Sequence, residues 1–188
     1  MIRALDDLKL EHRLIERVLG VLERSAARLG QNEYVSPELL AEALEFVRGF
    51  ADGCHHAKEE QGLFPLLSNK RTTLEHGPVK VLSADHEAGR KLMRDLEGAV
   101  ADMRAGKPGG RRAARKAIVT YAGMLHRHIA KEEDIVFPLA AALMTSREAE
   151  QLEDEFERVE RDQGPEAHER FEAMVRQMEA AAGIAAAA

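Results

Sequence analysis

Two stretches decide the reading: His55–Leu66, HHAKEEQGLFPL, and His128–Leu139, HIAKEEDIVFPL, which share eight of twelve positions at an offset of 73 residues. Each carries His-x-x-x-Glu, the four-residue step that sets two side chains one turn apart on the same helix face. Each also lies on an apolar stripe of helical period. The second runs through Ile118, Tyr121, Leu125, His128, Glu132, Ile135 and Leu139, in alternating steps of three and four. The first runs through Leu40, Leu44, Val47, Ala51, His55, Glu59, Gly62 and Leu66, with Pro65 expected to kink or stop the helix.

Two more stripes complete the pattern. Leu5, Leu8, His12, Ile15, Leu19, Leu22, Ala26 and Leu29 form one seam, and Val79, Leu82, His86, Gly89, Met93, Leu96, Val100 and Met103 form another. Ser36-Pro37 reads as N-cap and first helical residue, Gly77-Pro78 opens the third helix, and Gly106–Gly110 closes it. Thr145-Ser146-Arg147-Glu148 is a capping box opening a charged fifth helix, and Gly164-Pro165 separates that helix from a sixth. The expected fold is all-α: an up-down-up-down four-helix bundle over residues 1–144, with a C-terminal two-helix extension over 145–188 packed on its exterior.

The rest of the composition bounds the function. The chain has 188 residues, a net charge of −6, one cysteine (Cys54) and no tryptophan. Such a chain can bury a core without disulfides and lacks the basic stripe and stacking aromatics of a nucleic-acid binder. The longest apolar run, Ile135–Met144, is ten residues, too short to cross a bilayer. With acidic residues where an export signal is apolar, a cytoplasmic location is expected.

In an up-down bundle, His12, His55, Glu59, His86, His128 and Glu132 fall roughly 12 to 22 Å from one common end at 1.5 Å rise per residue. Six inward polar groups at one level of a dry core need a partner, and a metal supplies it. Imidazole and carboxylate donors suit iron, manganese or zinc. Six donors exceed what one tetrahedral ion takes, and two glutamates can each bridge a pair, so a dinuclear centre is expected. None of the residues three before a histidine is glutamate, which sets the chain apart from bundles that use Glu-x-x-His.

These motifs, together with Asp85-His86-Glu87-Ala88-Gly89-Arg90 and the Phe-Pro that follows each His-x-x-x-Glu, resemble the hemerythrin-like, or HHE cation-binding, family over about residues 5–143. The resemblance implies a non-haem centre of two iron ions, with His12, His55, His86 and His128 as terminal ligands and Glu59 and Glu132 as bridges. The oxygen carriers of that family have a further histidine in the third helix, where this chain has Leu82 and Arg90. His56 and Tyr121 are the candidates to fill the place. The implied function is binding of O2 or NO for sensing, storage or delivery. Its alternatives are an enzyme of oxidative or nitrosative defence acting on peroxide or NO, and an iron- or oxygen-responsive interaction module. Glu60, Glu133 and His126 read as off the seam, Lys58 and Lys131 as solvated, and Cys54 as a small core residue.

Overall fold

The computed structural model describes residues 2–70, 77–164 and 166–184, so Pro165 lies outside the described part. Four helical rods carry the apolar stripes. The first is α1 (Arg3–Gly30). The second starts as α2 (Pro37–Phe46), passes through π-helical turns π1 (Val47–His56) and π2 (Glu59–Leu63), and finishes as α3 (Phe64–Ser68). The third is α4 (Pro78–Arg104), and the fourth is α5 (Gly110–Lys131), π3 (Glu132–Val136) and α6 (Phe137–Leu143). The helices α7 (Ser146–Gln163) and α8 (Ala167–Ala182) follow.

The helix starts follow local chemistry. Ser36 Oγ accepts from the Glu38 amide at 3.1 Å with Pro37 at the first helical position, and the Thr145–Glu148 capping box is fully formed. Gly109, at φ 92°, turns the chain into α5 in a conformation that costs side-chain-bearing residues energy. α4 packs against α5, α5 against α1, and α2 against α4, while α8 lies across α1 and α2 and α7 against α1 and the π-helical part of the second rod. Phe171, Val175 and Met178 of α8 are buried in one cluster with Ile15, Leu22, Leu40 and Ile118.

The stripes of α1 and α4 are buried as read, except that Met103 is only partly so. The second and fourth rods depart from the reading after their glutamates. Ile135 is 51% exposed and Leu139 37%, while Val136, Phe137 and Ala140 are buried. In the second rod Leu63, Phe64 and Leu67 take the inner positions in place of Gly62 and Leu66. The physical reason is the π-helical turn, in which hydrogen bonds span five residues and the inward face advances by one position. Pro65 and Pro138 sit just after these turns and neither stops its rod.

Candidate metal centre

The rods bring His12, His55, Glu59, His86, His128 and Glu132 together, all essentially buried. The rings of His12 and His55 lie 4.7 Å apart, and those of His86 and His128 4.8 Å. π1 turns two consecutive histidines inward, so His56 joins them, its ring stacked on His86 at 3.9 Å. Tyr121 lies two turns before His128 and is buried.

The donor atoms fall into two groups, each within ligand reach of a single ion: His12, His55 and Glu132 in one, His56, Glu59, His86 and His128 in the other. Each glutamate sits between the groups. Glu132 has one oxygen 3.2 Å from His12 Nε2 and the other 3.0 Å from His128 Nε2. Glu59 Oε2 lies 3.4 Å from His86 Nε2 and 3.9 Å from His55 Nε2. Yet both oxygens of each glutamate, and His12 Nε2, have no hydrogen-bond partner among the described residues. Buried orphans of this kind are costly, and here they converge.

The outer nitrogens account for the orientation. Nδ1 of His12 meets Glu133 at 2.9 Å, of His55 Glu11 at 2.9 Å, of His86 Glu60 at 2.7 Å and of His56 Asp52 at 3.2 Å. His128 Nδ1 lies 3.6 Å from Asp85. A carboxylate only accepts, so each bonded Nδ1 carries the proton and its Nε2 lone pair faces the cluster. His86 Nε2 and His128 Nε2 then face each other at 3.2 Å. Together with the unpartnered oxygens of Glu59 and Glu132 beside them, these nitrogens fit a bound metal.

The electrostatics agree. Burial opposes a charged His86, but Glu59 and Glu60 outweigh it and hold the imidazole up at about 9. Burial also works against Glu132, yet the imidazoles of His12 and His128 keep it well below the usual carboxylate range. His56 is pushed by burial down to about 3, so it is neutral at pH 7. Glu132 is thus ionised and His56 neutral, as metal donors must be, while the proton that Glu59 and Glu60 hold on His86 is one that a metal ion would displace.

Several expectations need correcting. Glu60 and Glu133 are not idle, since they hold His86 and His12 from outside the cluster. Lys58 is not solvated: it is 1% exposed, bonded to Glu11 and to Glu160 of α7, with its ammonium over the Phe156 ring. Lys131 bonds Asp85 at 2.7 Å. Glu11, not singled out from the sequence, precedes His12 by one residue and lies off the three-four seam. The signal was nonetheless present, since Glu11-His12 and Asp85-His86 repeat an acid before each lone histidine. His126 is half exposed and pairs with Glu23, and Cys54 is buried, its thiol pushed up by burial to about 12.

Residues 3–140 match the hemerythrin HHE cation binding domain. The chain belongs to that family. It is also similar to the uncharacterized proteins Rv1995 of Mycobacterium tuberculosis and Mb2018 of Mycobacterium bovis, each 27% identical over 172 residues. The match takes in 90% of this chain and spans 63% of the length of those relatives. No solved structure matches the chain. Family membership makes this hemerythrin-family chain a metal-binding protein, and its buried histidines and glutamates cluster where an ion could be held. No helix among the described residues is long and apolar enough to cross a membrane.

Proposed function

We propose that the chain holds two iron ions and binds O2 or NO between them and the protein, for sensing, storage or delivery. His12, His55 and Glu132 would hold one ion and His56, His86, His128 and Glu59 the other, the glutamates lying between the two groups. The observation that carries this reading is the pair of glutamates whose four oxygens are buried, unpartnered and placed between two imidazole groups. Bound iron would supply a redox-active centre for a diatomic ligand; zinc accepts the same donors without redox chemistry.

The residues around the donors shape what the centre does. Glu11, Glu60, Glu133 and Asp52 fix the imidazoles, so little reorganisation is needed when an ion arrives. The group with His56 has four donors and the other three, which makes the ion on His12 and His55 the less filled one. A cavity reaching His56, His86 and His128 from outside favours a second reading, an enzyme that decomposes peroxide or reduces NO at the same centre. We place either activity in the cytoplasm, where a lone buried thiol such as Cys54 stays reduced.

Anaerobic iron loading, with iron counted per chain and optical spectra taken before oxygen, after oxygen and after sparging, tests both readings. About two irons and a band that vanishes on sparging support a carrier or sensor; irreversible oxidation supports the enzyme. Unchanged metal content in the double variant His55→Ala, His128→Ala would refute the donor assignment itself.

A further inference from the structure

Between the second rod, α4 and α5 lies a cavity of about 180 Å³ that opens to solvent and ends on His56, His86 and His128. Val47, Met93, Met124 and Leu125 give its wall most of its apolar surface, and Arg48, Asp52, Asp85, Arg90 and Arg94 also line it. Gly89, one turn after His86, also lines it without a side chain. A Cβ there would meet Met124 Cε at 3.4 Å and Tyr121 Cε2 at 3.5 Å, ordinary contacts, so a methyl fits and a longer side chain would occupy the cavity. Arg90, bonded to Asp52 and Glu60, ties α4 to the second rod and fixes the wall in place.

Tyr121 lines the same space, and its hydroxyl is buried without a hydrogen-bond partner among the described residues. A hydroxyl so placed is costly unless something accepts from it. The volume says what kind of molecule could. An apolar cavity of about 150 Å³ holds benzene, so a ligand of two atoms leaves most of this one empty.

We propose that the cavity is a binding site for a small organic molecule of about benzene size, its apolar body against Met93, Met124 and Leu125, its one polar group accepting from the Tyr121 hydroxyl. The inference rests on the metal reading only in setting the bound molecule beside the ions.

Fluorine NMR of the full chain with fluorobenzene and with 4-fluorobenzyl alcohol tests this, with and without metal loading and with metal counted in every sample. Both probes are expected to saturate a single site. Gly89→Leu is expected to abolish binding of both, and Tyr121→Phe to weaken the alcohol about three- to ten-fold while leaving fluorobenzene unchanged. No saturable binding, or binding that Gly89→Leu leaves intact, overturns the proposal; equal weakening of both probes by Tyr121→Phe overturns the hydrogen bond. Should Gly89→Leu fail to fold, methyl-labelled methionine spectra of the unaltered chain decide. Met93 and Met124 signals must move on probe addition while Met178, buried on the inner face of α8, stays still, and any other pattern overturns the site. Probe binding in a chain that takes up no metal would sink the metal reading alone, and two ions without probe binding would sink the cavity alone.

Discussion

Four imidazoles of the cluster, those of His12, His55, His56 and His86, are each held by an acid at Nδ1 and turn Nε2 inward. Glu11 has the most demanding part, because it is buried, accepts from His55 Nδ1 at 2.9 Å and is bonded by buried Lys58. Burial raises its proton affinity, but His55 and Lys58 outweigh that and keep it below the usual range. Glu11→Gln keeps the shape and removes the charge, and metal affinity is expected to fall about 10- to 100-fold, read by competition with a chelator of known affinity. Lys58→Ala strands the Glu11 carboxylate in the core. That change is expected to destabilise the fold by about 3 kcal/mol in denaturant unfolding, whereas Lys131→Ala, at a half-exposed pair with Asp85, should cost about 1 kcal/mol or less. Equal losses from the two lysines would mean that burial of Lys58 does not set its role.

At the scale of elements, the helix stripes, the caps and the level of the histidines were legible because α-helical period fixes them. What period could not show was the π-helical turn, since its signal is a change of hydrogen-bond span, not of composition. That single change turns His56, one of the two candidates for the extra place, inward beside His55, and it explains why the inner face moved to Val136 and Phe137 from Ile135. Glu60 and Glu133 follow the same logic, brought by π2 and π3 to the imidazoles of a neighbouring rod. The register gives a direct test by thermal or denaturant unfolding. Ile135→Ala is expected to change stability by no more than about 0.5 kcal/mol, and Phe137→Ala, which removes a buried ring stacked on His12 at 5.6 Å, by about 3 to 5 kcal/mol. A larger loss at Ile135 than at Phe137 would restore the unbroken α-helical register.

The whole molecule is two similar halves that complete one another. Glu11-His12 with Lys58-Glu59-Glu60 in the first half matches Asp85-His86 with Lys131-Glu132-Glu133 in the second. Glu60 holds His86 and Glu133 holds His12, so each half supplies an acid to the other's histidine. Neither half is then a finished site alone, and ion binding and folding are coupled through the docking of both. In the metal-free fold a proton on His86 does part of the ion's work, which is why that imidazole is held at about 9 instead of 6.5. A group with a raised folded pKa stabilises fully below its unfolded value and loses that contribution as pH climbs to the folded one. The metal-free chain is therefore expected to melt at progressively lower temperature from about pH 6.5 to about pH 9. His12, raised by Glu132, Glu59 and Glu133 against burial, adds to the loss in the same direction. A bound ion replaces the proton, so the metal-loaded chain should show no such decline, and the gap between the two melting curves should widen with pH. Calorimetric titration near pH 7 in two buffers of different ionisation enthalpy should register release of about one proton or more per chain. Uptake without proton release, or a metal-free melting temperature that rises across the window, would mean that the opposed nitrogens of His86 and His128 are not where the cation goes.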